Sequence, residues 1–536
     1  MRERWLWFRE TYMTMDPRSL GLFRVLFGLV LLSDLARRFI DIELWYTNGG
    51  LLPNHTILWR PPAQRMFSLF FTASGLREAQ VGFVLCAAVY LAFTLGYRTR
   101  LFQVLTLIAR VSLNSRLAVL ENGGDMVMDL LCLLTLPLPL GARFSLDAVA
   151  LSPDRKQPLS DYATKPIVSI AVLGLLLQFA TIYFFNAASK GGVAWRDGTA
   201  VHYALHQDKL VTPIGVWMRE TLPLDVIKGL TWGTLATEWI GCILIITPFS
   251  SREARGLAVC LMPPLHLGFA LGLNLGGFSP AMMSFFPLLL TAQHWEKLEG
   301  WLGERVRPLA ERAHAASLWL LRGSQLPAPA PAPVSARWRT VGEVAMGFVL
   351  LAILSEVLND NSPVPKALRV RQPDWAKAVI EYPRILQGWR MFASEPPRTD
   401  SMIHVEAVTA SGKKVDPYNE VASNQAYPSG KVVPSQMGQS QYFVMYSDRI
   451  PNQNYAAYRQ AFQEWLLAYP ERTGDQKDCL LNYSVYYVSD QSPPPGETVP
   501  KPLERTVFMS YAAPYDSPCR QLAAAKQQPQ QGRARR

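Results

Sequence analysis

The sequence predicts a polytopic α-helical membrane protein of about nine spans, followed by a β-rich extracytoplasmic domain. Two charge-free stretches and one change of periodicity carry that prediction. Residues 166–189 contain no Asp, Glu, Lys or Arg, and neither do the forty residues 256–295. An apolar helix needs about 20 residues to cross a bilayer. The first stretch therefore crosses once and the second twice, turning near Gly276-Gly277-Phe278-Ser279-Pro280. Past residue 364 apolar and polar residues alternate singly, as on half-buried strands. Only 18% of the 536 residues are charged, below the roughly 25% of soluble domains. A soluble protein, a disordered chain and a collagenous fibre are excluded.

In chain order, a cytoplasmic segment 1–19 precedes the first span, 20–40, which contains Arg24 and Asp34. Spans follow at 79–97, 101–120 with Arg110, and 125–141 with Asp125 and Asp129. The clean 166–187 comes next, then 229–248 with Glu238, 256–274 and 279–293, closing a bundle over 20–293. Prolines inside spans, such as Pro263 and Pro264, are tolerated where neighbouring helices satisfy the freed backbone groups. A basic cytoplasmic linker, 294–339, ends in Pro327-Ala-Pro329-Ala-Pro331-Ala-Pro333, a stiff extended spacer. The last span is 340–358. The domain 359–526 has strands expected at 402–408, 441–446, 481–488 and 506–511, and a helix at 454–469. The polar, basic tail 527–536 is expected to be disordered.

Lys and Arg set the orientation. With the N-terminus inside, the inner segments hold 19 basic residues and the outer loops 8. That places the N-terminus in the cytoplasm and the C-terminal domain outside, as in a bacterial inner membrane. The first apolar run starts late, contains Arg24 and lacks a small-residue cleavage site, so it is expected to be an uncleaved anchor. The net charge of +11 then reports orientation and contact with anionic lipid; no motif points to nucleic acid. Cys479 and Cys519 are the cysteine pair of the outer domain and a candidate disulfide. His202 and His206 stand one helical turn apart without a usual third ligand, and no Cys/His cluster has zinc spacing. No metal is expected.

Ionisable residues inside spans mark interior pairs or function. Asp34 and Arg38 are i, i+4 and can pair; Asp125 and Asp129 share one face. Lys190 ends the clean span in Phe185-Asn186-Ala-Ala-Ser-Lys190-Gly191-Gly192-Val-Ala-Trp195. A lysine there ordinarily snorkels to the interface. Asn186 one turn earlier and the two glycines leave room for a pocket instead, where a buried amine would be a general base. His266 reads either as a hydrogen-bonded interior residue or as a group that polarises a buried substrate oxygen.

Several motifs, in order, carry a resemblance to a known family. They are Arg18 to Gly28 continuing through Trp45-Tyr46 to Pro53, Asn122-Gly-Gly-Asp125, Lys190 through Asp197-Gly198, His266 with Phe278-Ser279-Pro280, and Gln387-Gly-Trp389-Arg-Met-Phe392. Together, over about residues 15–395, they resemble the horizontally transferred transmembrane (HTTM) domain, shared by bacterial membrane proteins and the vitamin K-dependent gamma-glutamyl carboxylases. The resemblance implies a pocket open to the outer face, a vitamin K-type quinol deprotonated by a lysine, and carboxylase-like (carbon–carbon lyase) chemistry. Lys190, five residues before Trp195, matches the catalytic lysine, and His266 looks like the pocket histidine. Asn114, Arg116, Asp125, Asn186, Trp195, His202 and Arg24 complete the expected pocket. The carboxylases have a histidine near Asn114-Ser115-Arg116. Arg116 instead looks like the bacterial members; a fixed guanidinium can bind an anion or stabilise an oxyanion but does not shuttle protons near neutral pH. The implied partners are the lipid bilayer and a secreted protein or peptide substrate. The other function class is a non-catalytic membrane partner or maturation factor for a secreted protein or peptide. Proline-interrupted spans also suit a transporter, although no internal repeat is visible.

Overall fold

The first long helix starts where its sequence provides a cap. The Asp16 carboxylate accepts a hydrogen bond from Arg18 N at 2.8 Å, and Pro17 occupies a position whose N–H would be unsatisfied in any case. In the computed structural model, which describes residues 1–59, 65–151, 165–323, 336–419, 440–475, 478–497 and 501–527, this helix is α1 (Pro17–Ile40). The other principal helices are α2 (Leu76–Leu95), α3 (Thr99–Arg116), α4 (Gly123–Thr135), α5 (Ile170–Ser189), α6 (Leu224–Ile246), α7 (Ser251–Gly272), α8 (Phe278–Phe285, prolonged by a 3₁₀ turn to Leu289) and α9 (Ala336–Asp360). Gly96 closes α2 with φ at +69°. Asn122 and Asp125 cap the start of α4 reciprocally.

Among the described residues, α1, α2, α5, α6, α7 and α9 are long and apolar enough to cross a membrane. The three other expected spans fall short for identifiable reasons. Helix α3 carries Arg100, Arg110 and Arg116 in 18 residues. Helix α4 has 13 residues, about 20 Å of rise, and α8 passes into the 3₁₀ turn. Successive helices nevertheless alternate between two ends. At one end Tyr12 OH donates to Ile246 O at 2.9 Å, Arg18 meets Glu299 at 3.0 Å, and Ile170 N donates to Glu343 at 2.7 Å. Arg24 there donates to the carbonyls of Thr94, Leu140, Arg143 and Phe144. At the other end lie Arg38, Asp125 and Lys190.

A buried charge lattice joins α1, α3 and α4. Arg38 meets Asp34 at 2.7 Å and Asp125 at 2.5 Å. Arg110 meets Asp34 at 3.1 Å, Asp125 at 2.6 Å and Asp129 at 2.9 Å. The i, i+4 pairing expected for Asp34 and Arg38 is present, and Asp125 and Asp129 face Arg110 together. Helices α4 and α8 approach so closely that a Cβ on Gly124 would lie 2.6 Å from Phe278 N and 2.9 Å from the Gly277 carbonyl carbon.

The C-terminal part is mixed α+β rather than β-rich throughout. Strands β1 (Thr399–Thr409), β2 (Lys414–Val415), β3 (Leu480–Gln491) and β4 (Glu504–Ala512) form an antiparallel sheet in the order β2-β1-β3-β4. Ile403 stands opposite Tyr487, and Ser484 opposite Ser510. Three of the four expected strands are present. The fourth, 441–446, is corrected: Gln441–Arg449 is a helix capped by Ser440. Its run of apolar residues satisfies both periods over so short a window, and Tyr442, Phe443 and Tyr446 bury one helical face. The expected helix 454–469 is present as a 3₁₀ turn, Gln453–Tyr458, running into Arg459–Leu467. Cys479 and Cys519 are bonded. Ala292–Gly323 is a single helix; the proline-rich spacer and residues 528–536 lie outside the described residues.

This domain is anchored on the bundle. Trp45 packs on Phe443 and Tyr446 at ring separations of 5.0 and 5.6 Å. Gln178 of α5 donates to Gln387 Oε1 at 2.7 Å, which also accepts from Trp389 Nε1 at 2.9 Å. Asn361 bonds the backbone of both Gln387 and Trp389.

The α4–α8 contact separates two adjacent glycines. Gly124→Ala should lower the thermal stability of the detergent-purified protein by several degrees, because the added methyl meets backbone. Gly123→Ala should be nearly silent, since its Cβ would meet the flexible end of Met391, 3.3 Å away at Sδ, and the Phe278 ring at ordinary contact distances of 3.6 and 3.9 Å. Equal melting temperatures for the two variants would contradict this packing. Arg110→Met should abolish folded yield, because it strands buried carboxylates at a cost on the order of 3–5 kcal/mol.

Candidate functional site

Helix α5 ends at Ser189, and Lys190, the residue that closes it, points inward rather than towards solvent. Its Nζ lies 2.5 and 2.6 Å from the two carboxylate oxygens of Glu238 on α6, and 4.7 Å from the centre of the Trp195 ring. Lys190 is 7% exposed and Glu238 4%. The short helix Val193–Arg196 that carries Trp195 is held from outside the bundle. Gly192 N donates to Ser394 O at 3.2 Å, Ala194 N to the Glu395 carboxylate at 3.2 Å, and Trp195 Nε1 to Phe392 O at 2.9 Å. A Cβ on Gly192 would lie 2.6 Å from Ser394 O, so this approach requires glycine.

Lys190, Glu238 and Trp195 form one wall of a cavity of about 380 Å³ between α6, α7 and α8. Leu230, Leu265, Phe269, Phe278, Met391 and Phe392 supply much of the remainder. Its volume falls in the ordinary range for small-molecule sites, and so does its character, mostly apolar with a few convergent polar groups. The arrangement suits a largely hydrophobic molecule with a polar head that meets the buried ion pair.

The expected pocket residues divide into three groups. Lys190 and Trp195 line the cavity. Asn186 stands directly behind it, accepting from Met391 N at 2.9 Å and so fixing one wall. The others do not line this cavity. His266 Nε2 is 2.6 Å from Tyr183 OH, and its ring is packed against Phe269, Phe278 and Phe286. His266 belongs to α7, whose Leu265 and Phe269 take the cavity-facing positions. His202 Nε2 meets Pro493 O at 2.9 Å, and its ring lies 4.1 Å from that of His206; burial lowers the proton affinity of both. Arg24 clasps carbonyls at the opposite end. Asn114 donates to Asp129 at 2.6 Å and Asp125 belongs to the charge lattice. Arg116 is buried at the end of α3.

Glu238 is a cavity residue, paired with Lys190, that the motifs missed. A signal existed, because it is the only charged residue between Lys228 and Arg252; its partner, 48 residues away, is set by the packing of α5 on α6. Lys209 gave no signal. Its Nζ lies 2.8 Å from Asp448 and 3.7 Å from Asp400 of β1, and its N–H donates to Asp400 at 3.0 Å. This ties the 205–212 turn to the sheet. Burial pushes the Asp400 carboxyl up to about 6 against the pull of Lys209. Burial also opposes the Lys209 charge, but Asp448 and Asp400 outweigh it and raise its proton affinity.

A search of curated proteins finds similarity to the uncharacterized protein YitO of Bacillus subtilis, 27% identical over 220 residues, which make up 38% of this chain. The match covers 65% of YitO's own length. No family profile matches the chain, and no solved structure does.

The Lys209 contact has a pH signature. Between its ordinary value near 3.8 and about 6, folded Asp400 holds a proton that the unfolded chain releases. Its contribution to stability therefore falls as pH rises through that window, and Asp400→Asn should remove this component from melting temperatures measured between pH 4 and 6. The Lys209 contribution is present below the ordinary lysine value and lost only as pH climbs past it. At pH 7, Lys209→Met should cost on the order of 2–3 kcal/mol, discounted for the partial exposure of Asp448.

Proposed function

We propose that this chain is a bacterial membrane protein of HTTM type that holds a lipid-soluble, quinol-type molecule in the Lys190 cavity and uses Lys190 as a base in carboxylase-like chemistry. The observation that carries this reading is the buried Lys190–Glu238 pair in the wall of an otherwise largely apolar cavity. The residues present fit such a ligand: the leucine and phenylalanine walls suit a ring and isoprenoid chain, and the ion pair suits a hydroxyl. When bound, a quinol supplies an acidic hydroxyl and two-electron redox chemistry. The chain's own part is proton handling. In a pair that shares one proton, Glu238 can hold it and leave Lys190 as the free amine; Nζ then accepts the hydroxyl proton, and the resulting ammonium faces the oxyanion. Trp195 stabilises that cation through its ring face, and Asn186 keeps the Met391 wall in place.

Nine crossings with the N-terminus inside belong to the same proposal. They are supported by the alternation of helices α1 to α9 between two ends and by the basic residues gathered in the loops at the Arg24 end. The sheet domain then lies on the outer face, at the same end as the Lys190 cavity. The quoted motifs also converge in space: Asn122 to Asp125 caps α4 against Phe278, and Gln387 to Phe392 runs from α5 to the cavity wall.

A second reading, a non-catalytic partner for a secreted protein or peptide, is favoured by one feature. Strand β4 is the sheet's edge, and residues 504–507 are exposed, so an extended peptide could add there as a further strand.

Lys190→Ala should reduce quinol-dependent turnover by roughly 100-fold or more, the usual range for a lost general base, and should release any lipid-soluble molecule that native mass spectrometry finds in the wild type. Glu238→Gln should lower turnover while sparing assembly. Full activity in Lys190→Ala would dismiss the catalytic reading; loss of function on placing a proline in β4, with Lys190→Ala silent, would select the partner reading.

A further inference from the structure

Arg116 is the last residue of α3 and does not line the Lys190 cavity. With Ser112 and Ser115 it stands at i, i+3 and i+4, so the three share one helical face. All are buried, at 0% exposure for Arg116, 1% for Ser112 and 0% for Ser115. Among the described residues, none of the three guanidinium nitrogens has a hydrogen-bond partner, and neither serine hydroxyl oxygen has one.

The buried carboxylates of α1, α4 and the loop between α3 and α4 are already engaged by other residues. Asp34 and Asp125 are shared by Arg38 and Arg110, while Asp129 takes Arg110 and Asn114. Glu121 takes Arg384 at 2.6 Å. Two other arginines show how this chain treats a guanidinium without an acid: Arg24 saturates itself on four carbonyls, and Arg472 lies 3.8 Å over the Trp465 ring. Among the described residues, Arg116 has neither kind of partner. An isolated buried cation costs several kcal/mol, and its five N–H donors form a planar fork that matches an oxyanion.

We propose that Arg116, with the hydroxyls of Ser112 and Ser115, is the binding site for a small oxyanion of carboxylate or phosphate type, enclosed at the junction of the bundle and the sheet domain. The guanidinium supplies charge and two parallel donors, and each serine supplies one donor. Arg449, bonded to the carbonyls of Val119 and Glu121, and Arg384 hold the loop after Arg116 in place and add positive potential there. The site does not depend on whether chemistry occurs at Lys190.

The test uses the full-length protein in detergent, in chloride buffer at constant ionic strength, titrated with inorganic phosphate or with acetate while thermal unfolding is followed. The wild type should show a saturable rise in melting temperature with at least one probe, and which one saturates at lower concentration tells phosphate from carboxylate. Arg116→Gln should lose the saturable rise, and Arg116→Lys, which keeps the charge but not the fork, should need roughly tenfold more of the same anion. Ser112→Ala/Ser115→Ala should weaken binding by a smaller factor. A wild type without saturable response to either probe would overturn the proposal, as would an Arg116→Lys variant that binds like wild type. Should Arg116→Gln fail to fold, the wild-type and Arg116→Lys titrations decide by themselves.

Discussion

Arg110 occupies the position on which the rest of the bundle depends. It lies within ion-pair distance of Asp34 of α1 and of Asp125 and Asp129 of α4. In a low-dielectric interior such a group is tolerable only when its partners are all present. Its geometry therefore fixes the mutual rotation of three helices. It also explains why α3 and α4 are less apolar or shorter than their neighbours. Helix α4 is buried along most of its length and α3 from Ala109 onward, and a buried helix face need not be apolar towards lipid.

The consequences pass outward through close contacts. Asp125 caps α4 while it binds the arginines, so the lattice and the start of α4 are one structure. Gly124, one residue earlier, brings that start against the backbone of α8, and Phe278 of α8 forms part of the Lys190 cavity. On the other side Arg38 lies 5.1 Å beneath the Tyr442 ring of the sheet domain. The cavity is closed in part by Met391 and Phe392, which belong to the connection between the last long helix and the sheet. Neither the bundle nor the C-terminal part alone completes it.

Much of the architecture was legible because long charge-free runs and single-residue alternation are direct imprints of lipid and sheet environments. Lys190 stood out because it ends the clean span with Asn186 one turn earlier; a lysine there ordinarily snorkels, and packing turns it inward onto Glu238 instead. The helix at Gln441–Arg449 was not legible, because its short apolar run fits both periods and the burial that decides between them comes from Trp45, some 400 residues away in sequence.

Spacing along the chain was enough to show where the long apolar segments lie, which charges stand within them and which i, i+4 pairs can form. Those properties depend on spacing along one chain. Tertiary packing settled that Glu238 is the partner of Lys190, that His266 turns to Tyr183 and away from the cavity, and that Arg116 is buried without a counter-charge among the described residues. Each of these depends on the rotation of one helix against another, which is set by packing and by the lattice around Arg110 rather than by any local pattern.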